Sequence, residues 1–112
     1  MTSNTPPDTV LQRLAAIIAS RRSETAGKSY TRELLDGGPE KCAKKLGEEA
    51  VETALAAVGE DREHLIAETA DLLYHLLVVL EARGVTLAEV EAVLAARTAQ
   101  SGLDEKASRK GG

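Results

Sequence analysis

Apolar residues recur along this chain at the three- and four-residue spacing of amphipathic helices, in runs that are separated by turn-forming residues. Aspartate, threonine or proline precedes each run, and glycine follows two of them, which is the usual marking of helix ends. The pattern predicts four helices, over residues 9–22, 39–59, 61–83 and 86–100. The glycine-bearing stretch 23–38 is interpreted as a loop with room for one helical turn.

The composition supports an all-α fold. Phenylalanine and tryptophan are absent and only two tyrosines occur among 112 residues, so strand-favouring aromatic residues are nearly missing. The third predicted helix is apolar round most of its circumference. A bundle of four short helices buries more of that apolar surface when a second copy of the chain packs against it. We therefore expect a four-helix bundle over residues 9–101, completed by homodimerisation, between a flexible tail (1–8) and a charged tail (102–112).

Charge and cysteine content narrow the functional classes. The formal net charge of -4 argues against a nucleic-acid partner, which normally calls for a basic surplus. No apolar run approaches the roughly 20 residues that span a bilayer, and the N-terminus lacks the apolar segment of a signal peptide. The single cysteine, Cys42, fits a reducing compartment and is interpreted as a small apolar filler. A cytoplasmic protein without membrane or nucleic-acid partners is expected.

Acidic side chains gather on one arc of the second predicted helix and on one stripe of the third. Glu48, Glu49 and Glu52 share the arc, whereas Glu68 and Asp71 lie three residues apart and point the same way. A short turn joins the two helices, so they should lie antiparallel with these carboxylates facing each other. Such a cluster repels itself unless a hard divalent cation is bound, and magnesium prefers oxygen ligands. A solvated acidic surface explains the same pattern, and helix geometry alone leaves both readings open.

Basic residues near the acidic arc are candidates for holding phosphate groups. Lys44 and Lys45 precede the acids on the second helix, and Lys28 and Arg32 belong to the predicted loop. Lys45 is equally explained as an i,i+4 partner of Glu49, and the two loop cations as solvated charges. His75 shares the acidic stripe of the third helix, where a packed core or interface histidine is the alternative.

The order Glu-Glu-x-x-Glu, fifteen intervening residues and Glu-x-x-Asp is more specific than the geometry. On residues 48–52 and 68–71 the chain resembles the MazG-like all-α nucleotide pyrophosphohydrolases. Within that superfamily it is similar to the phosphoribosyl-ATP pyrophosphohydrolase family. The stretches that carry the narrower resemblance are residues 29–31, 44–52, 68–77 and 105–110.

The resemblance implies a hydrolase of histidine biosynthesis, which converts phosphoribosyl-ATP and water to phosphoribosyl-AMP and pyrophosphate. It implies magnesium, with manganese as a substitute, and a homodimer or a dimer of dimers. The metal ligands implied are Glu49, Glu52, Glu68 and Asp71, with Glu48 as a further ligand or as the base that orients the attacking water. Two alternatives remain: a house-cleaning pyrophosphohydrolase acting on dUTP, dCTP or damaged triphosphates, and a helical dimerisation module without catalysis.

Overall fold

The computed structural model describes residues 9–23 and 29–99, and within these ranges the chain is entirely helical. The all-α prediction is therefore confirmed, while the proposed tails, 1–8 and 102–112, lie outside the described residues. The helices are α1 (Val10–Arg21), α2 (Tyr30–Asp36), α3 (Gly38–Ala57), α4 (Arg62–Ala82) and α5 (Leu87–Ala99).

Side-chain caps fix where the helices begin. The Thr9 hydroxyl accepts from the backbone amide of Gln12 ahead of α1, and the Asp61 carboxylate accepts from two amides at the start of α4. Before α5, the amide of Thr86 donates to Glu89 Oε1 at 2.8 Å, and the amide of Glu89 donates to Thr86 Oγ1 at 3.1 Å. This reciprocal pair is the capping box that the sequence predicts.

The expectation of a loop over residues 23–38 is wrong, because α2 occupies its second half and makes five helices instead of four. Ser29 Oγ accepts from the amide of Arg32 at 3.1 Å and caps this helix. Leu34 is 1% exposed, and its carbonyl accepts from the Cys42 thiol. Seven residues are too few for a periodic signal or for independent stability, so burial and capping hold α2 in place.

Two glycines permit the sharp reversals between helices. Gly38 (φ 87°) allows α3 to start directly after α2, and Gly84 (φ 70°) ends the α4 segment. An L-residue with a side chain is strained at these angles, which is why glycine stands at both positions. The first reversal brings Leu34 of α2 against Cys42 of α3.

The core is small, its buried members carry no aromatic ring, and the partly buried Tyr74 packs against them. Its members come from α1, α2, α3 and α4, and they are Ile18, Leu34, Cys42, Leu77 and Val78. Burial raises the pKa of the Cys42 thiol, as expected of an apolar filler. None of the helices among residues 9–23 and 29–99 is long and apolar enough to cross a bilayer.

Candidate metal centre

Helices α3 and α4 form the most extensive interhelical packing, and they run antiparallel from the turn at residues 58–61. Ala56 on α3 is buried, with 6% of its surface exposed. The hydroxyl of Thr53 on α3 lies 2.8 Å from the Glu49 carbonyl oxygen and 3.1 Å from the Glu68 carbonyl oxygen on α4. This side chain therefore joins the two helices at the level of the acidic residues.

Three carboxylates from the two helices converge. One oxygen each from Glu49, Glu68 and Asp71 lies within 4.8 Å of the others. Glu49 and Glu68 are half-buried, whereas Asp71 is exposed, so the group lies at the rim of the helix pair and opens to solvent. Three oxygen donors at this spacing suit a hard divalent cation with open positions for other ligands.

Glu68 shows how strongly the group is constrained. Its Oε1 is buried and has no hydrogen-bond partner among the described residues. Burial raises the pKa of Glu68, and the nearby charges of Glu52, Glu49 and Asp71 raise it further. A buried oxygen without a partner inside an acidic cluster is the arrangement that a bound cation would satisfy.

The other two acidic candidates lie beside this group. Glu52 is exposed and is close enough to Glu68 to act on its charge, but it is not one of the three converging carboxylates. Glu48 is exposed as well, and its Oε1 lies 3.3 Å from Lys45 Nζ. The structure thus brings three of the five acids into one cluster, with Glu52 next to it and Glu48 in an ion pair.

The basic candidates have different surroundings. Lys45 pairs with Glu48 at i,i+3 and not with Glu49, and the hydrogen bond to Glu48 raises its pKa. Lys44 is exposed on α3, and Arg32 Nε lies 3.6 Å from the Asp36 carboxylate within α2. Lys28 lies outside the described residues.

Aromatic rings form one edge of the site. The ring of His75, one helical turn after Asp71, lies 4.9 Å from the Tyr74 ring and 6.2 Å from the Tyr30 ring, edge-on to both. Burial lowers the pKa of His75, so its imidazole is neutral at neutral pH. The Tyr74 hydroxyl and the Thr31 hydroxyl are 2.5 Å apart, which ties α2 to α4.

The sequence pattern did not reveal the Thr53 contact between the helices or the Thr31–Tyr74 hydrogen bond. Thr53 follows Glu49 by four residues and so shares its face of α3, which is the only local signal for its position. The Thr31–Tyr74 pair joins residues 43 positions apart, and no local pattern encodes it.

Comparison with known proteins identifies the family. Residues 11–98 match the family described as phosphoribosyl-ATP pyrophosphohydrolase. The chain belongs to this family. Its members share the all-α MazG-like fold, so the family match and the helical structure agree, and the chain is a hydrolase.

Curated relatives support the same assignment. A phosphoribosyl-ATP pyrophosphatase of Nitrobacter winogradskyi is 67% identical over 86% of this chain and 83% of its own length. A phosphoribosyl-ATP pyrophosphatase of Azorhizobium caulinodans is 65% identical over 89% of this chain and 92% of its own length. Phosphoribosyl-ATP pyrophosphatase 1 of Rhodopseudomonas palustris is 62% identical over 89% of this chain and 94% of its own length. Each match covers at least 86% of this chain, so the aligned region includes both acidic segments.

Proposed function

We propose that this protein hydrolyses phosphoribosyl-ATP to phosphoribosyl-AMP and pyrophosphate, in the biosynthesis of histidine. The observation that supports this most directly is the convergence of Glu49, Glu68 and Asp71 within 4.8 Å. It occurs in a chain of the phosphoribosyl-ATP pyrophosphohydrolase family, whose curated relatives are named for that substrate. Reducing conditions in the cytoplasm suit the free thiol of Cys42, and we place the reaction there.

The donor set fits magnesium, with manganese as a substitute. All three converging groups offer oxygen, and the Glu68 Oε1 atom needs a partner that the described residues do not provide. When bound, such a cation would neutralise charge on the phosphate oxygens and promote attack by water. Glu49, Glu68 and Asp71 would hold it, and Glu52, which already acts on the charge of Glu68, would complete the acidic shell.

Two charged residues at the rim are assigned to substrate and water. Glu48 is exposed and stands outside the converging group, and we assign to its carboxylate the role of orienting the attacking water and accepting its proton. Lys45, whose pKa is raised by its hydrogen bond to Glu48, offers a point charge to a phosphate oxygen. Lys44 and Arg32, with Lys28, are proposed to add positive charge for the remaining phosphates.

A second copy of the chain is the proposed occupant of the exposed apolar stripe on α3. Val51 and Leu55 lie on one face of this helix and are 60% and 65% exposed, and Val58, its C-cap residue, is 83% exposed. Ile66 on α4 is 55% exposed. Apolar side chains in a row at this exposure are typical of an interface between protein chains. A homodimer built on the α3–α4 pair would cover them.

The test is pyrophosphate release from phosphoribosyl-ATP with magnesium and with a chelator, compared with release from dUTP and dCTP. Glu52→Gln and Asp71→Asn should each reduce magnesium-dependent turnover by at least about a hundredfold while leaving the helical circular-dichroism spectrum unchanged. Glu60→Gln, an exposed acid in the α3–α4 turn, is the matched control and should behave as the unaltered protein. Full activity in both site variants, or faster turnover of dUTP or dCTP, would refute the proposal.

A further inference from the structure

The aromatic residues of this chain are concentrated at one place beside the acidic cluster. The sequence has two tyrosines and no phenylalanine or tryptophan, and the fully buried core contains no aromatic ring. Tyr30 and Tyr74 lie with their ring centroids 6.4 Å apart at an interplanar angle of 20°, and His75 meets both rings edge-on. Tyr74 packs against the core and His75 is 6% exposed, whereas Tyr30 is 53% exposed. Tyr30 is therefore the ring of this cluster that can contact a ligand.

The position of Tyr30 is fixed while much of its surface stays free. It is the first residue of α2, directly after the Ser29 cap, and its neighbour Thr31 is hydrogen-bonded to Tyr74. Tyr30 is nevertheless 53% exposed. An aromatic ring held by its neighbours on one side and open on the other loses little conformational entropy when a ligand stacks on it.

The aromatic cluster adjoins the acidic site. Tyr74 follows Asp71 by three residues, a rise of about 4.5 Å along α4. Lys45 lies within electrostatic range of Tyr30 and pairs with Glu48, so it connects the exposed ring to the acidic residues of α3. A nucleotide whose phosphates reach the carboxylates can therefore reach the Tyr30 ring with its base.

His75 adds an independent sign of a ligand. It is 6% exposed, and its Nδ1 has no hydrogen-bond partner among the described residues. Buried polar atoms are rarely left unpaired, so the nitrogen requires a polar group from outside the described chain. The same imidazole contacts Tyr30 and Tyr74, which places this requirement within the aromatic cluster.

We propose that the exposed face of Tyr30 stacks on the purine of the nucleotide substrate, with Tyr74 and His75 packed against the Tyr30 ring. This inference rests on the proposed function, since it takes the ligand to be an adenine nucleotide with its phosphates at the acidic cluster. Stacking needs the flat ring and not its hydroxyl. It acts on binding and not on the bond that is cleaved.

Nuclear magnetic resonance tests the contact without turnover. With no phenylalanine or tryptophan in the chain, the aromatic proton spectrum contains only two tyrosines and two histidines, and Tyr30→Leu identifies the Tyr30 signals by their loss. Adding AMP with magnesium should shift the Tyr30 ring protons upfield and give a nuclear Overhauser effect to the adenine protons. Ribose 5-phosphate, which has no base, should do neither. Equal shifts with both probes, or an Overhauser effect to Tyr74 alone, would overturn the proposal.

Steady-state kinetics with phosphoribosyl-ATP complete the test. Tyr30→Leu should raise KM about tenfold or more and leave kcat unchanged, as loss of one base–aromatic stack predicts. Tyr30→Phe keeps the ring and should match the unaltered protein. A Tyr30→Phe variant as impaired as Tyr30→Leu would assign the effect to the hydroxyl, and a fall in kcat at constant KM would assign it to catalysis; either outcome overturns stacking.

Two further results separate the possible failures. Size-exclusion chromatography of Tyr30→Leu should show the same mass as the unaltered protein, because the proposal places Tyr30 against the ligand and not against a second copy. A change in mass would make Tyr30 an interface residue and overturn the proposal. If the unaltered protein fails to hydrolyse phosphoribosyl-ATP, the proposed function fails, yet the AMP titration still decides whether Tyr30 stacks on a purine.

Discussion

Replacing Thr53 by valine tests whether one hydroxyl holds α3 and α4 in register at the acidic cluster. The Thr53 Oγ1 atom lies 2.8 Å from the Glu49 carbonyl oxygen within α3 and 3.1 Å from the Glu68 carbonyl oxygen on α4. Valine keeps the shape of the side chain and removes the donor. Thr69→Val is the matched control, because Thr69 is also half-buried on a helix and donates to the Leu65 carbonyl at 2.7 Å, within α4.

The difference between the two variants isolates the bond between the helices. The single Thr53 hydroxyl proton is shared between two carbonyl oxygens, so the contact between the helices is worth about 0.5 kcal/mol, the lower end for a net hydrogen bond. Thr53→Val should therefore lower the free energy of unfolding by about 0.5 kcal/mol more than Thr69→Val does, and the melting temperature by about 2 °C more. If cation binding needs the same helix register, magnesium affinity should fall by about twofold in Thr53→Val, since 0.5 kcal/mol is roughly that factor.

Urea unfolding in chelator gives the free energies, and calorimetric titration gives the magnesium affinity. Both variants must be compared at one protein concentration, because association of the chain would contribute to the apparent stability. Equal destabilisation by Thr53→Val and Thr69→Val would show that the hydroxyl serves α3 alone. Unchanged magnesium affinity together with the expected destabilisation would show that cation binding does not depend on the register of α3 and α4.

Three other predictions concern charge, backbone and assembly. The raised pKa of Glu68 means that ionisation of this carboxyl destabilises the folded, metal-free protein. In chelator, at a pH above the pKa of Glu68 in the folded protein, Glu68→Gln should therefore have a higher melting temperature than the unaltered protein. That advantage should shrink as the pH falls towards the ordinary glutamate pKa, and an advantage that grows at low pH would contradict the assignment. Gly84→Ala should destabilise by about 1–2 kcal/mol because φ is 70° there, whereas Gly47→Ala, in the middle of α3 with open space around it, should stabilise by about 1 kcal/mol in thermal unfolding. Leu55→Glu should halve the mass measured by light scattering without loss of helix if a second copy covers this 65% exposed side chain, and an unchanged mass would exclude the α3 stripe as the interface.

Much of the fold was predictable from local chemistry. The helical class follows from apolar periodicity, and the start of α5 follows from the reciprocal pair of Thr86 and Glu89, because both signals involve residues a few positions apart. Helix α2 was missed for the opposite reason. Its seven residues depend on the burial of Leu34 in the core and on the Thr31–Tyr74 hydrogen bond, which joins residues 43 positions apart and lies outside any short window of sequence.

The sequence by itself determined which carboxylates share a helix face, because Glu68 and Asp71 are three residues apart and a helix places such residues on one side. Only the tertiary structure decided that Glu49 joins them within 4.8 Å and that Glu52 stands beside the group. The rotation and register of two packed helices are set by the side chains between them, here including Thr53, and a periodic pattern does not specify them. The contacts among Tyr30, Tyr74 and His75 are also decided by tertiary packing, since they require α2 to lie against α4.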